Sequence, residues 1–222
     1  HEKLTNEEIA AVFGVMAAAP AHTFQVLTKR PARMWEWFRW VGSFADPPVA
    51  MSAYAVYAPA ARRALPAEEH VSLDRALWLS TPHRWPLPNV WIGVTAEDQR
   101  RADERIPLLL QTPAAVRFVS VEPQLEAVDL IDYVAPCCGC DFATDLGGAH
   151  DRVCPAGTRL DWVICGAESG PGARPFDDDW ARALRDQCQV KGVAFFYKQT
   201  VVAGRKVSTP ELDGRRWVEF PR

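Results

Sequence analysis

The stretch 160-LDWVICGAESGPGARP-175 runs from five mostly apolar residues, Leu160 to Ile164, through Cys165 into Gly166-Ala167-Glu168-Ser169-Gly170 and two prolines among further glycines. Its first half reads as a buried strand. Its second half delivers a carboxylate and a hydroxyl onto a loop loosened by glycine. The same arrangement recurs at 22–31 (HTFQVLTKRP), 89–98 (NVWIGVTAED), 115–124 (AVRFVSVEPQ) and 192–200 (GVAFFYKQT). Each apolar part is short and rich in Val, Ile, Phe or Trp, as expected of parallel strands covered on both faces.

Helix signals lie between the runs. Residues 5–19 open with Thr5 followed by Glu8, the pattern of a capping box, and stay apolar at helical spacing until Pro20. Residues 31–40 begin with a proline suited to a first helical turn. Residues 98–111 carry charges early and leucines late, with Pro107 expected to bend or divide the helix. Residues 177–190 begin with three acids where the helix dipole favours them, and Gly192 follows as a stop. Alternating strands and helices call for right-handed crossovers and an α/β fold with a parallel sheet or barrel.

At 222 residues and 48% hydrophobic content the chain can bury a real core, and it reads as a single domain over 1–222. Two stretches interrupt the rhythm. Residues 41–88 hold seven prolines with Trp78 and Trp85, and read as an insert or lid. Residues 136–159 are cysteine-rich and too polar to pack alone. Residues 201–222 read as a polar hairpin or tail closed by Trp217 and Phe220. A net charge of −3 disfavours non-specific nucleic-acid binding. No apolar run approaches the roughly 20 residues needed to span a bilayer, and the start has neither a basic nor an apolar leader segment, so a soluble cytoplasmic protein is expected. A first residue of His1 suggests that the true N-terminus is missing or processed.

In parallel α/β folds, ligands bind at the C-terminal ends of the strands. The runs deliver Thr28, Lys29 and Arg30; Thr95 and Glu97; Ser120 and Glu122; Glu168 and Ser169; and Lys198 and Gln199. Carboxylates and cations converging on one face are costly unless paired or used, so a ligand site and a structural ring of ion pairs both stay open. Gly166 and Gly170 would let a backbone approach a ligand closely, with Glu168 receiving an ammonium or hydroxyls; the bland alternative pairs Glu168 with Lys198 or Arg174. The tryptophans, among them Trp35, Trp37, Trp40 and Trp91, suit either stacking on a substrate or packing as a cover.

Four of the six cysteines fall between 137 and 154. Cys137 and Cys140 have knuckle spacing, and His150 and Cys154 complete a four-ligand set for zinc, which would order an insert lacking its own core; free or redox-active thiols are the alternative. Cys165 and Cys188 read as small apolar core residues.

Several phrases in order, HTFQVLTKRPARM, NVWIGVTAEDQ, ADERIPLLLQTPAAVRFVSVEPQL, DWVICGAESGPGARP and DGRRWVEFP, resemble a phage-protein family known as a domain of unknown function. Its full-length members open with a three-cysteine motif and resemble radical S-adenosylmethionine proteins. The resemblance implies a (β/α) barrel of that type, incomplete here because the first strands and the cysteines that would hold a [4Fe–4S] cluster are expected upstream of His1. It implies that Lys29, Arg30, Glu97, Glu122, Gly166, Glu168, Ser169 and Lys198 occupy strand-end positions that bind S-adenosylmethionine or a nucleotide-like small molecule, and that this fragment alone is inactive. Where family members carry two glycines before the glutamate, this chain has Gly166-Ala167. The competing expectation is a non-catalytic, zinc-containing binding module contacting nucleic acid or a protein partner.

Overall fold

The computed structural model describes residues 3–43, 86–135 and 159–221. Most of the 41–88 insert and of the cysteine-rich insert lies outside the described residues, and with them Cys137, Cys140, His150, Cys154 and the zinc they were expected to hold. The chain divides into two compact units, one of residues His1–Ile92 with Thr112–Ala115, the other of Gly93–Gln111 with Val116–Arg222.

In the first unit, α1 (Asn6–Ala18) starts as its sequence signals: Glu8 N–H donates to Thr5 Oγ1 at 3.2 Å while Glu8 Oε2 accepts from Thr5 N–H at 2.7 Å. Its C-terminal carbonyls are met by Asn89, whose Nδ2 donates to Met16 O at 2.9 Å and Ala19 O at 3.2 Å. After β1 (Phe24–Thr28), α2 (Pro31–Ser43) begins at the expected proline. Trp37 of α2 is buried, stacks on Phe13 at 4.5 Å and donates its indole N–H to Asn6 O at 3.0 Å. This is a packing role. β1 departs from the expectation of a strand covered on both faces, since Gln25 and Leu27 are exposed while Val26 and Thr28 face α1 and α2.

The second unit is built on parallel pairing. β3 (Val116–Val121) pairs with β4 (Trp162–Gly166), and β4 with β5 (Ala194–Val202), both in parallel. With β2 (Val90–Thr95) and β6 (Arg205–Ser208) they belong to a six-stranded sheet in the order β1-β2-β3-β4-β5-β6. β4 is buried at every position, as its unbroken apolar run requires. The result is an α/β fold with a mostly parallel sheet. The sixth strand comes from the tail: β6 turns back antiparallel on β5, and a short hairpin of β7 (Glu211–Leu212) and β8 (Arg215–Arg216) follows. Trp217 closes it, buried beneath the Arg215 guanidinium, which lies 4.0 Å from the ring centroid.

Two helices follow their sequence signals closely. α3 (Gln99–Leu110) is capped by Asp98, which accepts from Arg101 N–H at 2.7 Å. It is one span with Pro107 inside, not two. Proline removes a single backbone donor, and buried Ile106, Leu109 and Leu110 around it keep both halves seated on the core. After the single turn of α4 (Ile131–Val134), α5 (Asp178–Lys191) starts at Asp177 and stops at Gly192, whose left-handed backbone (φ 65°) glycine tolerates. Among the described residues no helix is long and apolar enough to cross a membrane.

Candidate functional site

The strands β2 to β5 of the second unit deliver three carboxylates at or just beyond their C-terminal ends, and each meets a cation. Glu97 lies deepest. Its Oε2 accepts from Arg105 Nη1 at 3.0 Å and its Oε1 from Thr95 Oγ1 at 3.2 Å, with side-chain exposures of 11% for Glu97 and 14% for Arg105. Arg105 reaches back from α3 and donates also to Thr95 O and Thr95 Oγ1, both at 2.9 Å. Three acceptors on one strand end therefore share one guanidinium, which fixes the Glu97 carboxylate against the sheet.

Glu122 follows β3. Its Oε2 accepts from Lys198 Nζ at 2.8 Å, and Oε1 has no hydrogen-bond partner among the described residues. The lysine comes from β5, so the pair spans the end of β4. Gly166 sits at that place. A side chain there would put its first carbon 3.1 Å from Gln199 Cγ and 3.4 Å from Glu122 Cδ. The room left by this glycine is thus taken by the protein's own Gln199 and Glu122. Gly170, by contrast, needs its glycine for the backbone, with φ of 109° in open space.

Glu168 is bound by its own loop. Arg174 donates Nε to Oε2 at 2.7 Å, Nη2 to Oε1 at 2.8 Å and its backbone N–H to Oε2 at 3.0 Å. These bonds hold the Glu168 carboxyl down at about 2, well below the usual range. The Arg174 guanidinium is held above its ordinary value, first by these bonds to Glu168 and least by the charge of Glu97. Ser169 is exposed on the loop and makes no hydrogen bond among the described residues.

Beneath these groups the backbone is braced. Gln124 N–H donates to Gly166 O at 2.9 Å, and Gln199 engages Ala167 twice, accepting from its N–H at 3.0 Å and donating Nε2 to its O at 2.7 Å. Ala167 is fully buried. Cys165 donates its thiol to Gln124 Oε1 at 3.1 Å, and burial pushes that thiol well up; burial likewise pushes Cys188 up to about 12. Both are packing residues, as expected of small apolar side chains.

Lys29 and Arg30 belong to the first unit. Arg30 N–H donates to Thr28 Oγ1 at 3.0 Å, and Thr28 and Arg30 line an apolar cavity of about 160 Å³ with residues of α1, β1 and α2 such as Ile9, Met16, Val26 and Trp37. Arg105 and Gln124 carry no mark in the sequence as site residues, and Gln199 is marked there only as a strand-end residue beside Lys198. Arg105 lies eight residues beyond Glu97, two turns into the helix that follows, which is a usable signal once the helix is known. The glutamines give none, since their work is done through backbone atoms of another strand. Among the described residues no group of three or more His, Cys, Asp or Glu side chains could hold a metal ion.

Fold and site together define an α/β protein with ion-paired acids at the ends of parallel strands. The chain matches over residues 1–221 the family described as "Protein of unknown function (DUF5131)" and belongs to it. No curated protein and no solved structure matches the chain.

Proposed function

We propose that the second unit carries the ligand-binding strand ends of an enzyme of the radical S-adenosylmethionine type, whose ligand offers an ammonium or hydroxyl donor beside an anionic group. The observation that carries this reading is Glu122. Its side chain is only 15% exposed, yet one carboxylate oxygen has no partner among the described residues. A poorly hydrated oxygen of this kind is stabilised by a donor. Lys198 beside it is 50% exposed and offers a positive charge to an anion. S-adenosylmethionine fits the pair, because its methionine end carries an ammonium and a carboxylate and its ribose carries hydroxyls.

In this reading Glu122 and Lys198 hold the ligand, while Glu97 and Glu168, each held by an arginine, frame it together with Gly166 and Ser169. The parallel order of β3, β4 and β5 and the placing of the acids at one end of them support it. A [4Fe–4S] cluster, when bound, would supply the electron for such chemistry. The described cysteines, Cys165 and Cys188, are single buried thiols and do not make a ligand set for it. Binding of the small molecule is what the residues described here supply.

Titration calorimetry with S-adenosylmethionine tests the proposal. Binding is expected, weakened about tenfold or more by Glu122→Gln and by Lys198→Met, as losing one hydrogen bond to a charged group implies. Absence of binding, or binding indifferent to both substitutions, overturns the site. Three closely spaced cysteines encoded upstream of His1 are the further requirement, and their absence would remove the radical chemistry.

A further inference from the structure

Burial along β5 alternates from Phe195 to Gln199, with Phe195, Tyr197 and Gln199 buried and Lys198 exposed between the last two, and breaks at Thr200, which is buried as well. Just before the break the register against β4 shifts, since Cys165 pairs with Tyr197 but Gly166 pairs with Gln199. Lys198 is therefore passed over in the pairing with β4, the place an extra residue takes in a β-bulge.

Several contacts hold the bulge open. On the β4 side Gln199 clamps Ala167 through both its backbone oxygen and its side-chain amide, the latter at 2.7 Å in a buried setting. Its Cγ lies over Gly166, the residue the Lys198–Glu122 pair spans. On the other side Thr209 N–H donates to Lys198 O at 2.8 Å, so the carbonyl of the extra residue is satisfied.

We propose that Gln199 is a positioning residue of the strand-end site: by clamping Ala167 it holds the bulge that carries Lys198 across Gly166 to Glu122. Its relevance to binding rests on the reading that Glu122 and Lys198 meet the ligand. The positioning itself does not. Gln199 touches no ligand in this scheme. Its side chain acts through the backbone of β4 and the neighbouring residue of β5.

Limited reductive methylation read by mass spectrometry separates the two. Lys206 on exposed β6 serves as the internal reference, and the ion pair should slow modification of Lys198 about tenfold relative to it. Gln199→Met keeps the bulk over Gly166 and removes the amide donor; in the folded variant the ratio is expected to rise close to one. If that variant does not fold, Gly166→Ala presses on the same place from β4 and must raise the ratio as well. An unchanged ratio in a folded variant overturns the inference. Where S-adenosylmethionine binds the unaltered protein, Gln199→Met is expected to weaken it about tenfold with Glu122 and Lys198 intact, and unchanged affinity counts against the positioning role. Where it does not bind at all, the proposed ligand falls, and the methylation ratio still decides whether Gln199 sets the lysine.

Discussion

Glu97 and Glu168 are each bound by an arginine at a strand end, but the arginines come from different places. Arg105 reaches Glu97 from the middle of α3, a helix whose buried face is fixed by the core, and the pair is almost closed to water. Arg174 reaches Glu168 from six residues along the same glycine-rich loop, with 55% of its side chain exposed. Identical chemistry therefore has two meanings. A pair built from separate elements and shielded from water is part of the architecture, because neither charge can be abandoned by the other without cost. A pair within one exposed loop is screened by solvent and can exchange partners. The Glu122–Lys198 pair lies between these extremes, with an enclosed acid and a half-exposed base.

That ranking can be broken by removing each cation. Arg105→Ala would take from enclosed Glu97 the guanidinium that meets its Oε2 and from Thr95 O the same donor, and is expected to lower unfolding stability by about 3 kcal/mol in urea titrations. Adding Glu97→Gln should recover part of the loss, since a neutral amide tolerates the enclosed setting better than a carboxylate that has lost this guanidinium. A loss below about 1 kcal/mol for Arg105→Ala would erase the distinction between the architectural pair and the others.

Lys198→Met is the intermediate case. One partner is half exposed, so an effect of about 1 kcal/mol is expected in the same titrations. A double-mutant cycle with Glu122→Gln isolates the pair from the packing of the lysine stem. A coupling as large as that of Arg105 with Glu97 would move this pair into the architectural class and leave it poorly suited to receive a ligand.

The same contrast explains what the sequence could reveal. The five apolar runs became strands, and helices start at the Thr5 capping box and at the charged stretches that open at 98 and 177, because these features depend on neighbours a few residues away. The acids at the strand ends were legible for the same reason: a polar residue closing an apolar run must sit at that end. Their partners divide by distance along the chain. Arg174 lies close to Glu168 and was among the alternatives considered for it. Lys198 is 76 residues from Glu122, and the register that joins them depends on a bulge that no periodicity marks. β1 shows the converse failure: Gln25 and apolar Leu27 are exposed, and among the described residues it is Val26 and Thr28 that pack, against α1 and α2. Composition cannot tell which face a helix will cover. Pro107 does not divide its helix, because the buried side chains on either side of it override its local preference.

The smallest effect on stability belongs to Glu168, and it is also the most direct reading of an exchangeable pair. With its carboxyl held at about 2 in the folded protein, against an ordinary value of about 4.3 in an unfolded chain, the group favours folding above the ordinary range. That contribution fades as the pH falls from about 4 towards 2, because protonation then meets the folded state last. Carbon-detected NMR of the Glu168 carboxyl should show the low midpoint, and Arg174→Gln should raise it towards the ordinary value with little change in melting temperature. Concentrated salt should raise the midpoint too, since both side chains are open to solvent. A midpoint indifferent to salt would mean that the loop shields the pair as closely as α3 shields Glu97. Glu168 would then join the architecture, leaving Glu122 as the acid with an oxygen to offer.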